Sequence, residues 1–150
     1  MVRVAIARYK MSMEGRDIWV TDFDLERLRK LLEGTRLWSS RDREHLEQLD
    51  EELRRAHVVP AKDIPPEVVT MNTRLRLRDL DAGTEMVFSL VFPSDADLEQ
   101  SKISVLAPLG TAVLGFRRGD AFEWRMPGRV RRLQVEEVLY QPEAAGDHHL

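Results

Sequence analysis

The residues of this chain that could do chemistry are few, and their spacing assembles no catalytic centre. His45 and His57 have no ligand-spaced partner, and the serines near them fall on other elements. A nucleophile, a base and an orienting acid therefore do not come together. The chain has no cysteine, which removes thiolate nucleophiles, disulfides and Cys-ligated zinc. Asp95-Ala96-Asp97 lacks the glycine and the terminal glutamate of a calcium loop. No glycine-rich phosphate loop is present. His148-His149 is the one metal-like pair. These readings predict a protein that is not an enzyme, takes no small-molecule substrate and holds no cofactor and no metal.

What remains are residues suited to contact. Arg74, Arg76 and Arg78 alternate with Leu75 and Leu77, so a strand here puts the arginines on one face. That face is either a solvated one that discourages edge pairing or a surface complementary to an acidic partner. Arg117, Arg118, Arg125, Arg129, Arg131 and Arg132 would extend it. A net charge of −3 and an aromatic content of 7% speak against a nucleic-acid binder. Trp38 is either a partner contact or a cover for an apolar seam. Trp124 reads as core, and Trp19 as a lead-in to a helix.

The elements that must position these residues follow from length and periodicity. A chain of 150 residues, 43% hydrophobic, forms one domain or one domain with an appendage. The 33% charged content points to an exposed helical segment. Met1 to Arg8 is too short and too interrupted by arginine for a signal-peptide core. No apolar run approaches the roughly 20 residues of a membrane helix. A cytoplasmic protein without membrane contact is expected. Residues 1–20 form an extension without an assigned role, with Ile18-Trp19-Val20 either a strand or a hydrophobic lead. Thr21 can cap a helix, with Asp24 three residues on as a weaker relative of the capping box. Leu25, Leu28 and Leu32 follow, and Gly34 ends the helix. Ser39 or Ser40 starts a second helix carrying Leu46, Leu49, Leu53 and Ala56 on one face. Residues 21–58 are thus an antiparallel helical hairpin with the seam of a short coiled coil. Its tip carries Arg36, Leu37 and Trp38.

Pro60 and Pro65-Pro66 mark a linker over residues 59–67, after which the period changes to two. Strands are expected at 73–78, 85–92, 103–105, 121–125 and 131–140. Between them lies Ser104-Val-Leu-Ala-Pro-Leu-Gly-Thr-Ala-Val-Leu-Gly115. Pro108 suits a first helical position, where its missing N–H costs nothing, and Gly115 serves as the stop. Residues 68–150 are therefore expected to form an antiparallel-sheet domain with one short helix, making the whole an α+β chain.

The 104–115 stretch resembles the motif of the carboxy-terminal domain of the Gre transcript-cleavage factors. Val68-Val-Thr-Met-Asn-Thr-Arg74 and Tyr140-Gln-Pro-Glu-Ala-Ala-Gly-Asp147 resemble the opening and the tail of the Rnk family, the regulators of nucleoside diphosphate kinase. That tail ends in polar and aromatic residues in the family too, which argues against a metal at His148-His149. The resemblance implies an FKBP-like sheet domain that grips the rim of the RNA polymerase secondary channel. It also implies a hairpin pointing at the channel mouth, in competition with Gre factors. A monomer is the default expectation, and the charge and aromatic content predict no binding to a specific nucleic-acid sequence. Docking then falls to Pro108, Leu109 and Gly110, with Ala107, Ala112 and Leu114 shaping the loop. Gre hairpin tips carry acids that help hold a second magnesium. The segment from Gly34 to Ser40 has none, with Glu33 and Asp42 flanking it, so no cleavage stimulation is expected. The alternatives are a Gre-like cleavage factor and, from the implied fold alone, a prolyl isomerase, whose aromatic-lined pocket has no convergent set of residues here.

Overall fold

The computed structural model describes residues 18–35, 40–126, 128–147 and 150. The chain enters through strand β1 (Trp19–Thr21), which turns directly into helix α1 (Asp22–Thr35). Helix α2 (Ser40–Arg55) returns and ends in strand β2 (His57–Val59). Of Ile18-Trp19-Val20, read as either a strand or a hydrophobic lead, Trp19 and Val20 lie in the strand and Ile18 directly precedes it. β1 and β2 pair in parallel, with Trp19 opposite His57 and Thr21 opposite Val59. The two ends of the hairpin are therefore held side by side. Leu25, Leu28 and Leu32 meet Leu46, Leu49 and Leu53, and all six are buried. The Thr21 hydroxyl accepts the Asp24 N–H at 3.0 Å, which is half of a capping box.

Strands β3 (Arg74–Asp79), β4 (Glu85–Val91), β5 (Lys102–Ser104), β6 (Ala121–Met126) and β7 (Arg129–Tyr140) form one sheet in the order β5-β4-β3-β7-β6. The expected all-antiparallel sheet is corrected here, because β5 runs parallel to β4, pairing Ser89 with Lys102 and Val91 with Ser104. The cause is the segment between them. Two 3-10 turns, at Pro93–Asp95 and Leu98–Gln100, carry the chain back before β5 begins. The expectation of one short helix is also corrected. Beside α3 (Pro108–Val113) stands α4 (Pro142–Ala145), begun by a proline and capped by Gly146 at φ 82°. Two register shifts in the β3–β7 ladder let the stretch of β7 from Leu133 to Tyr140 follow the shorter β3.

Leu75, Leu77, Phe88, Leu90, Phe122, Leu133 and Val135 line the inner face of the sheet, and the hairpin leucines join the same apolar cluster. The molecule therefore has one core. The linker is tied down separately. Ile64 is buried, and the Gln141 amide donates to the carbonyls of Pro65 and Val68 at 2.8 Å each. A glutamine from the far end of the chain thereby fixes a segment whose prolines alone suggest a spacer.

Candidate docking surface

The turn from Ser104 to Gly115 is built by short-range chemistry. The Ser104 hydroxyl accepts the Leu106 N–H at 3.0 Å, and the Ser104 carbonyl accepts the Ala107 N–H at 3.0 Å. Ala107 is extended, at φ −70° and ψ 148°, as a residue before proline prefers. Pro108 then opens α3. The Thr111 hydroxyl reaches back to the Val105 carbonyl at 2.7 Å. Gly110 is required by crowding, since a Cβ there would lie 2.1 Å from the Ser104 carbonyl oxygen. Gly115 is required by its φ of 79° and by Ile18, whose Cβ would lie 2.5 Å from an added Cβ. Its N–H donates to the Val69 carbonyl at 2.9 Å, and its carbonyl accepts the Trp19 N–H at 3.4 Å.

This construction separates the residues singled out for docking. Pro108 is exposed, and Ala107 and Ala112 are half-buried. Leu109, at 5% exposure, Gly110 and Leu114 face inward. Of the six, only Pro108 and its half-buried neighbours reach solvent, and the other three frame the turn from inside. Arg36, Leu37 and Trp38 lie outside the described residues, as do His148 and His149. Among the described residues, no cluster of His, Asp and Glu suits a metal ion. No described helix is long and apolar enough to cross a membrane.

On the arginine face of β3, Arg76 and Arg78 are answered by the protein's own acids. Arg76 donates to Glu137 at 2.7 Å, and Arg78 lies 3.3 Å from Glu136 and 3.5 Å from Glu85. Leu75 and Leu77 point inward as alternation requires. At the end of β3, the N–H of Ala82 and the guanidinium of Arg131 hold the Asp79 carboxyl below its ordinary range. Arg117 sits over the Trp19 ring, 4.8 Å from its centroid, and Trp19 stacks on His57 at 4.9 Å. Trp124 is half-buried against the core, as read from the sequence.

One cluster escaped sequence reasoning. Asp24, only 1% exposed, accepts the Met71 N–H at 3.0 Å on Oδ2 and the Arg27 guanidinium on Oδ1. Burial pushes its pKa up to about 6, against the pull of these donors. Arg27 also stands over the rings of Phe23 and Phe92, 4.0 and 4.7 Å from their centroids, and donates to the Leu150 carbonyl at 2.8 Å. Met71 sits in a turn with Asn72 at φ 65°, and the adjacent Thr70 hydroxyl donates to Glu143 at 2.7 Å. The visible signal was Asp24 at the third position after Thr21. Its partner lies 47 residues away, beyond the reach of a local pattern.

Comparisons with known proteins agree with this geometry. The family described as "Transcription elongation factor, GreA/GreB, C-term" matches residues 64–140, and "Rnk N-terminus" matches residues 16–59. The chain is 40% identical over 134 residues to the regulator of nucleoside diphosphate kinase of Escherichia coli K12, covering 89% of this chain and 96% of that protein. It is 30% identical over 96 residues to the transcription elongation factor GreA of Hyphomonas neptunium, covering 64% of this chain and 61% of that one. A solved structure described as a prokaryotic transcription elongation factor GreA/GreB from Nitrosomonas europaea superposes with a TM-score of 0.71 at 42% identity, over 83% of this chain and 99% of that one. With both halves matched in order and the motif turn folded as one unit, the chain belongs to the Rnk family of regulators of nucleoside diphosphate kinase, related to the GreA/GreB transcription elongation factors.

Proposed function

We propose that this protein regulates bacterial transcription without being an enzyme. It binds core RNA polymerase at the rim of the secondary channel, as a monomer in the cytoplasm, and competes there with Gre factors. The observation that carries this reading is the Gre-type turn at residues 104–115, which lies inside the matched 64–140 region and presents Pro108 to solvent. Ala107 and Ala112 border the contact, while Leu109, Gly110 and Leu114 hold its shape. The hairpin points toward the channel. Helices of 14 and 16 residues reach about 21 and 24 Å, and the segment from Gly34 to Ser40 contains no acid. This protein therefore leaves transcript cleavage unstimulated, and any effect on nucleoside diphosphate kinase is indirect.

The test is binding to core polymerase, with a Gre factor as competitor. Pro108→Arg is the probe, because a charge placed at the buried Leu109 would disturb the fold as well as the surface. Competitive binding that the variant loses supports the reading. Absence of binding at micromolar protein, or robust cleavage of backtracked transcripts, overturns it.

A further inference from the structure

The hairpin meets the sheet domain at two places along its first strand and helix. The first is at β1, where Ile18 packs against Gly115 and the Trp19 N–H reaches the Gly115 carbonyl. The second lies in the first two turns of α1. There Asp24 takes the N–H of Met71, and Arg27 is held between Phe23 of its own helix and Phe92 at the end of β4. Apolar packing at the shared core leaves the hairpin some freedom to tilt about its root, and polar contacts further along α1 restrict that tilt. Residues 21 and 27 are about 9 Å apart along the axis. α1 is about 21 Å long, so a swing of about 20° at its base would carry its far end about 7 Å.

We propose that Asp24 and Arg27 are positioning residues, a brace that fixes the direction of the helical hairpin on the sheet domain in the free protein. Three features support this. A carboxylate buried this deeply costs free energy unless it is hydrogen-bonded, so Asp24 keeps its place only while both the Met71 N–H and the Arg27 guanidinium stay on it. Met71 presents its N–H from a turn held in the left-handed region by Asn72 and tied by Thr70, Thr73 and Glu143. That turn belongs to the sheet domain, so the bond crosses from one part to the other. Arg27 uses one guanidinium for the Asp24 carboxylate, two aromatic faces and the Leu150 carbonyl, which fixes its plane as well as its position.

The chain has no native cysteine, so two introduced ones can be spin-labelled without interference. Lys30→Cys on the exposed face of α1 and Ala82→Cys in the exposed β3–β4 turn span the junction. The full chain should give one narrow distance distribution. Asp24→Ala and Arg27→Gln should each broaden it by about two-fold or more. The Met71 amide should lose protection from hydrogen exchange, while the Leu75 amide in β3 keeps its own. A variant with an unchanged distribution and a protected Met71 amide overturns the brace, even if its melting temperature falls. Should Asp24→Ala fail to fold, the partly exposed Arg27→Gln carries the same test. Neither readout involves polymerase, so the outcome is independent of the function proposed above.

Discussion

The helical hairpin and the five-stranded sheet solve the same burial problem with different contacts. The hairpin has one seam of six leucines, repeated at helical spacing and close in sequence within each helix. The sheet domain gathers Leu75, Phe88, Phe122, Leu133 and Val135 from strands far apart in the chain, and fills its corners by close approach at Gly110 and Gly115. A seam of this kind tolerates small changes of shape. A corner closed by backbone against backbone does not. Even so, the two regions share one apolar cluster, so the hairpin depends on the sheet for part of its stability.

The same substitution in the two regions tests this contrast most strongly. Gly110→Ala should cost about 3 kcal/mol or more, because its Cβ meets a backbone oxygen that cannot move aside. Gly34→Ala, in α1 with nothing within 4 Å of the new Cβ, should instead stabilise by up to about 1 kcal/mol. Urea unfolding of both variants measures the pair, and equal effects would erase the distinction. Leu49→Ala, at a fully buried seam position, should cost about 3 kcal/mol. One shared core predicts that helix and sheet signals still melt in a single transition, and a hairpin that melts first would divide the molecule.

Asp24 sharpens the comparison where the regions meet. Its pKa is raised from 3.8 to about 6 by burial, so the folded state holds the proton more tightly than the unfolded chain. Its contribution is fully present below about pH 4 and is lost as pH rises through about 6, a change of up to about 3 kcal/mol. The stability difference between the parent and Asp24→Asn should therefore fall between about pH 4 and 7, read from urea melts across that range. The smallest effect belongs to the ion pairs on the outer face of the sheet. Arg76 is partly exposed beside Glu137, and Arg76→Ala should cost less than about 1 kcal/mol, shrinking further in high salt.

Much of this architecture was legible in the sequence. The leucine spacing placed both helices, Pro108 and Gly115 bounded α3, and alternation put Leu75 and Leu77 inside. These signals are local, set by turns and side-chain periods. The parallel β5 was not legible, since strand direction depends on how the 92–101 segment folds back. The β1–β2 pair was missed because each strand has three residues and its partner lies beyond two helices. Within the 104–115 turn, residue types alone do not tell that Leu109 faces inward while Pro108 faces out. Asp24 looked like a capping residue, and only the folded chain brings Met71 to it.

The pairing of β1 with β2 has a consequence for how such proteins can diverge. The chain leaves the body near Thr21 and returns near His57 on neighbouring strands, which lie about 4.8 Å apart in a sheet. Everything between those two points is a lobe with adjoining roots. The far end of such a lobe can be lengthened or shortened without re-routing the rest of the chain, provided the residues near its roots that pack on the sheet, Asp24 and Arg27 among them, are kept. Reach can then vary at the tip while the root stays constant.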